Sequence, residues 1–257
     1  MSEFKLPTEK IAAIRQSPRT LLMYALPKIG KTTMLSYLDN CLNIDLESGT
    51  DMISALKVDV KNHPKSKELN NSLAGLNSIL EDIIKAGSPY KYGAVDTVSV
   101  LEDMCLPLAK TMYKNTPMGR NFDKNEEGKS ILELPNGAGY WWLRQAFFKV
   151  CDAIEKAFPR VIYVGHLREK LIEKEGKEVS VNDIDLTGKI KNILASRCDA
   201  IGYLHRDKEF TMLNFKSSEN NVCVGARSEH LRGQDIVLAE SEGTNIKSVH
   251  WDRIFVD

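Results

Sequence analysis

The sequence predicts an α/β protein: a mostly parallel sheet flanked by helices, with an antiparallel extension toward the C-terminus. Three observations carry this. Short, continuous apolar runs alternate with helix-like patterns over the first two-thirds of the chain, the mark of buried parallel strands joined by crossover helices. The last third offers successive strand-like runs with no helix between them. At 257 residues the chain is long enough to bury one substantial core. It has no internal repeat, low-complexity tract or linker, so it divides into a polar N-terminal segment, 1–19, and a single domain, 20–257.

In order along that domain, "TLLMYA" (20–25) reads as a buried strand. "KTTMLSYLDN" (31–40) reads as a helix, with Met34, Leu35 and Leu38 at helical spacing. "CLNIDLESG" (41–49) is a second buried strand with an acidic end, and "ALKVDV" (55–60) a short edge strand. Leu69, Leu73, Leu76, Leu80, Ile83 and Ile84 form the stripe of one amphipathic helix over 67–86, stopped by Gly87-Ser88-Pro89. "YKYGAVDTVSVLEDM" gives a strand ending near Asp96 and then a helix to about Tyr113. Residues 114–139 are polar and glycine-punctuated, so a long loop is expected there. A helix over "YWWLRQAFFKVCDAIEKAF" precedes the strand "RVIYVG" (160–165). "KLIEKEGKEVSV" is a β-hairpin turning at Glu175-Gly176. A helix near 188–197 leads to three strands, "DAIGYLHRD", "EFTMLNF" and "NVCVGA".

Composition narrows the class without naming a partner. Lysine plus arginine (35) equals aspartate plus glutamate (35), so overall charge is no argument for nucleic acid. The five cysteines are scattered, with no Cys-x-x-Cys pair, and read as reduced thiols. "MSEFKLPTEK" has no signal-peptide pattern and no apolar run is long enough to span a membrane, so a cytoplasmic protein is expected.

The chemistry concentrates between the first strand and the first helix. Ala25, Leu26, Pro27, Lys28, Ile29, Gly30, Lys31 and Thr32 have the spacing of a phosphate-binding loop, with Ala25 where the first glycine usually stands. Gly30 lets the backbone approach phosphates, Lys31 supplies a cation for the β- and γ-phosphates, and Thr32 supplies a hydroxyl for Mg²⁺. With Thr33 these residues are the candidate ATP-binding set, and the strand-to-helix context is the one such a loop requires. Two acidic strand ends belong with it. Asp96 stands where a carboxylate orients magnesium, and Glu47 where one polarises the water that attacks the γ-phosphate. The C-terminal edges of parallel strands share one crevice, so Lys31, Glu47 and Asp96 are expected to converge.

From about residue 20 to about 240 the order of motifs resembles the ATP-binding core of RecA-like recombinases, and more closely the short RecA-like proteins of bacteriophages, some of which anneal single strands. "NIDLESG" matches that family's hydrophobic-Asp-x-Glu pattern and "AVDTVSVLED" its Walker B strand and helix. "RVIYVGHLREK" is similar to its sensor strand, which implies a γ-phosphate-sensing role for His166. The resemblance further implies two DNA-binding loops. Lys114, Arg120, Lys124 and Lys129 lie in one, and Arg168, Lys170, Lys174 and Lys177 in the other, nearly balanced by acidic neighbours. It also implies self-association into a ring or filament, with Arg227 or Lys216 as a finger completing the neighbour's site. Residues 1–19 are too short for the recombinases' polymerisation module. Tyr140, Trp141 and Trp142 offer stacking surfaces for bases, with core packing the favoured reading. The implied function is a Mg-ATP-dependent ATPase that acts on single-stranded DNA in annealing or recombination of phage DNA. The alternative is a structural nucleotide-binding or loader protein of a replication complex with little hydrolysis. A small-molecule kinase is less favoured, because "LREKLIEKEGKE" makes a poor arginine lid.

Overall fold

Eleven strands join into one sheet in the computed structural model, which describes residues 8–125, 129–174, 177–218 and 223–257, and leaves the side chains of 124, 125, 172, 174 and 177–179 undescribed. In chain order come β1 (Thr20–Ala25), α1 (Lys31–Ser36), β2 (Cys41–Asp45), β3 (Lys57–Asp59), α2 (Pro64–Glu68), α3 (Ser72–Lys85), β4 (Tyr92–Asp96), α4 (Val98–Met104), α5 (Leu106–Lys114) and α6 (Phe122–Asn125). Then follow α7 (Ala138–Ala157), β5 (Arg160–Lys174), β6 (Lys177–Ile184), α8 (Gly188–Arg197), β7 (Ala200–Asp207), β8 (Phe210–Asn214), β9 (Gly225–Ala226), β10 (Asp235–Glu242) and β11 (Asn245–Val249).

Across the sheet the order is β11-β10-β8-β7-β1-β5-β4-β2-β3. The six strands from β7 to β3 run parallel, while β8, β10 and β11 extend the sheet antiparallel. β1 lies inside the parallel block and every one of its residues is buried. Its side chains alternate between two cores. Leu22 and Tyr24 face the one covered by α3, α4, α5, α7 and α8, and Leu21 and Met23 the one covered by α1 and residues 251–255. Burial on both faces explains why this strand reads as an unbroken apolar run. The far face is tied to α1 directly, since buried Trp251 donates its indole N–H to the carbonyl of Met34 at 2.8 Å.

Several sequence expectations need correction. The helix expected over 67–86 is two helices, α2 and α3. Asn70 takes a left-handed backbone (φ 46°) and the Asn71 side chain accepts from Leu73 N–H to cap α3, which leaves Leu69 outside the stripe and exposed. The helix to Tyr113 is also two, α4 and α5, because Pro107 in the first turn of α5 cannot continue the hydrogen-bond ladder of α4. Residues 114–139 are not one loop. Besides α6, single 3₁₀ turns form at Ile131–Glu133 and Pro135–Gly137, the first with a Ser130/Glu133 capping box. Gly139 in the first turn of α7 sits so close to Ile131 that a Cβ there would come within 1.9 Å of its carbonyl oxygen. The hairpin expected over 170–181 forms from β5 and β6 and extends to the Leu167–Ile184 pair, its turn Glu175-Gly176 lying outside the described residues. Of "NVCVGA" only Gly225–Ala226 pairs as a strand among the described residues. β10 and β11 were not anticipated.

Candidate functional site

Ala25 ends β1 with ordinary strand backbone, so its Cβ is accommodated where glycine is the usual choice. The chain then turns through exposed Leu26, Pro27 and Lys28 and half-buried Ile29 into α1, with Thr33 in that helix's first turn. At the junction Gly30 has φ 106°, a left-handed backbone that side-chain-bearing residues rarely adopt. Lys31 is only 7% exposed, and its Nζ donates to the Leu26 carbonyl at 3.1 Å, folding the loop over its own lysine. Burial lowers the Lys31 pKa, while the carboxylates of Asp96 and Glu47 push it back up. Thr32 Oγ1 donates to Asp96 Oδ2 at 2.6 Å. Burial raises the Asp96 pKa against the Thr32 bond, with the Glu47 charge adding to the rise.

The neighbouring tip, after β2, is built around Asp45. Its Oδ1 accepts from the backbone N–H of Glu47 (2.9 Å), Ser48 (2.7 Å) and Gly49 (3.3 Å). Its Oδ2 accepts from Thr50 N–H (2.9 Å) and Thr50 Oγ1 (2.6 Å). An aspartate that gathers the four amides of 47–50 fixes a tight turn, and this one presents Glu47 to the crevice. Glu47 Oε1 accepts from Thr97 Oγ1 at 2.7 Å and lies 2.9 Å from His166 Nε2. Burial acts to raise the Glu47 pKa, but the Thr97 and His166 hydrogen bonds and the Lys31 charge outweigh it and hold the carboxyl below the ordinary glutamate range.

Strand order explains the meeting. β5 lies between β1 and β4, and Ala25 stands level with His166, so His166 falls between the phosphate loop and Asp96. β2 follows β4 with Asp45 level with Asp96, which brings Glu47 across the same edge. Lys31, Thr32, Glu47, Asp96 and His166 therefore share one crevice. The pairing of the Thr32 hydroxyl with the Asp96 carboxylate suits a magnesium ion: Thr32 would be its protein ligand and Asp96 the group that orients its waters.

Other candidates lie elsewhere. Arg227 follows β9, which pairs with the N-terminal end of β7, so it stands at the opposite edge of the sheet. There Arg227 Nη1 contacts Asp199 Oδ1 at 3.2 Å and its Nη2 donates to the Ser196 carbonyl at 2.5 Å. Lys216 is exposed just past β8, which runs antiparallel to β7, and so belongs to the same far edge. Lys114 ends α5, and Asp123 bonds it together with Lys110. Arg120 and Lys129 are exposed. On the hairpin, Arg168 lies 3.9 Å from Asp185 and Lys170 is exposed. The side chains of Lys124, Lys174 and Lys177 fall outside those described. Among the aromatics, Trp142 packs on the core beside Tyr113, but Tyr140 (47%) and Trp141 (44%) are exposed, against the expectation of core packing for all three.

Three residues at the crevice were given no role by sequence reasoning. Thr97 was detectable only as the neighbour of Asp96, and Asp45 appeared only as the Asp of the hydrophobic-Asp-x-Glu match, without its turn-fixing role. Arg206 near the end of β7 carried no signal, because nothing in the spacing says that β7 lies beside β1.

Residues 17–228 match the family described as "AAA domain". The chain belongs to that family. This AAA domain is a nucleotide-binding P-loop ATPase domain of α/β fold. Among solved structures it is similar to a prototypical ATPase from the type III secretion system of pathogenic bacteria, at 12% identity and a TM-score of 0.41; the match covers 77% of this chain and 60% of that one. No curated protein matches it. Among the described residues of the domain, no helix is long and apolar enough to cross a membrane.

Proposed function

We propose that this AAA domain is a Mg-ATP-dependent ATPase of RecA-like type that binds single-stranded DNA, promotes annealing or recombination of phage DNA, and works as an oligomer. The observation that carries the hydrolytic part is Glu47, held by Thr97 and His166 beside the Thr32–Asp96 pair. Both bonds fall on Oε1, which leaves Oε2 toward a water. As the water oxygen bonds to the γ-phosphorus, Oε2 takes its proton, the bond to the ADP oxygen breaks, and ADP and phosphate result. Lys31 exchanges the Leu26 carbonyl for phosphate oxygens. Magnesium, when bound at Thr32, adds countercharge for the phosphates.

Support for a nucleic-acid strand comes from a groove of about 510 Å³ between the N-terminal ends of α7 and α8, lined by Tyr140, Trp141, Arg144 and Lys189. Exposed rings and cations lining one groove suit bases and phosphates together. The groove is strapped to the crevice. Asp185 N–H donates to the His166 carbonyl at 3.0 Å, Ser99 Oγ to the Asp185 carbonyl at 2.8 Å, and Thr187 N–H to buried Glu102 at 3.0 Å. In a head-to-tail ring or filament, the far edge with Arg227 and Lys216 faces the next subunit's loop.

Steady-state ATP hydrolysis, with and without a single-stranded oligonucleotide, tests the reading. Turnover that rises with the strand and vanishes in Glu47→Gln is expected. Tight nucleotide binding with no turnover in either condition would favour the structural or loader alternative.

A further inference from the structure

On one side of β1 stands β5, with His166 level with Ala25. On the other side β7 outruns β1: their pairing ends at Tyr24–Tyr203, and Arg206 stands three residues further on. Leu204 belongs to the core face covered by α1, and side chains two apart on a strand share a face. Arg206 therefore projects toward the start of α1. Its Nη2 lies 3.9 Å from the point a Cβ on Gly30 would occupy. The side chain is exposed, and no carboxylate among the described residues pairs with it.

We infer that Arg206 is a nucleotide-binding residue, acting within its own subunit on the α-phosphate end of the bound nucleotide. The assignment rests on reading 25–33 as the nucleotide loop. The γ-phosphate end must point to Glu47, just past β2, and to Asp96 and His166 on β4 and β5, all on one side of β1. The chain of phosphates crosses the loop, so its α end emerges on the β7 side. A guanidinium fork there has two parallel N–H donors for phosphate oxygens and no competing partner to give up. Gly30 matters doubly, since a side chain at that position would fill the space between the loop and the fork.

The role predicts a loss shared equally by ATP and ADP, because both carry the α-phosphate. Calorimetry with a non-hydrolysable ATP analogue and with ADP, each with Mg²⁺, reads this directly. Arg206→Ala should weaken both by roughly tenfold, the scale of one charge-assisted hydrogen bond. Arg206→Lys should recover part of each loss. Lys208→Asn, which removes the same charge two residues away at a left-handed turn position (φ 54°), should leave both within about twofold. Weakening confined to the ATP analogue would overturn the assignment in favour of a γ-phosphate contact. No weakening in Arg206→Ala, with affinity lost in Lys31→Ala, overturns it in favour of a solvated surface charge. If Lys31→Ala also binds normally, the loop reading beneath it is what fails.

Discussion

The two ends of β1 hold similar residue types in opposite arrangements. At the N-terminal end, Asp199 Oδ2 accepts from the backbone N–H of Arg19 (2.9 Å) and Thr20 (3.3 Å), while its Oδ1 contacts Arg227. Beside it Arg197 reaches Asp152 (2.5 Å) and Glu155 (3.3 Å). Among the described residues at the C-terminal end, Lys31 has a carbonyl for its hydrogen-bond partner, Arg206 has no carboxylate, and the buried His166 Nδ1 bonds to nothing. Closed networks of the first kind fix where strands begin. Open polar groups of the second kind are held in place but left for a ligand. Arg227 and Arg206 both sit near strand ends, and only the company each keeps separates a brace from a binding group.

The contrast can be broken from either end. The largest effect is expected from Glu47→Gln, which keeps the Thr97 contact but cannot take a proton. Turnover should fall by about 10²–10⁴ with ATP affinity retained, measured by steady-state hydrolysis and calorimetry. Unchanged turnover would move the base elsewhere. Lys31→Ala should lower ATP affinity by about a hundredfold, since two charge-assisted bonds at roughly 1.5 kcal/mol each disappear. At the other end, Asp199→Ala leaves two strand-initiating amides and Arg227 without their acceptor. A stability loss of about 1–3 kcal/mol is expected in denaturant unfolding, with turnover kept where the variant stays folded. Turnover lost without a stability change would place that network in function. Reduced turnover in Arg227→Ala at saturating ATP would likewise show the far edge reaching a neighbouring site.

A subtler test uses pH. The Glu47 carboxyl lies below its unfolded value because Thr97 and His166 bond to it, so its stabilisation is complete above the unfolded pKa and is lost as pH falls through the folded one. Thr97→Val removes one of those bonds at a fully buried position. The acid limb of turnover should then move to higher pH; an unmoved limb would mean that Thr97 does not tune the base.

These comparisons also show what the sequence made legible. Lys31, Thr32, Glu47 and Asp96 were readable because phosphate and magnesium chemistry demands particular residue types at strand tips. The block of parallel strands was readable because double-sided burial leaves unbroken apolar runs. The break after Leu69 was signalled by Asn70-Asn71, but a strong 3.6-residue stripe masked it; the one at Cys105 was signalled by Pro107. Arg206 was out of reach for a different reason: its role depends on which strand lies next to β1, a fact of sheet order that no local spacing encodes. Arg227 was named as a finger for a neighbouring subunit's site, and its return to the far edge by a short antiparallel strand was equally out of reach of local spacing.

The bond from Trp251 to Met34 joins residues 217 apart in sequence and ends on the helix that begins with Lys31. Of the three tryptophans in the chain, Trp141 is exposed and Trp142 half-buried, whereas Trp251 is 5% exposed. The chain thus carries a built-in optical probe. When the loop at one end of α1 takes up phosphate, the indole at the other end should change its emission, and nucleotide occupancy becomes measurable without any label.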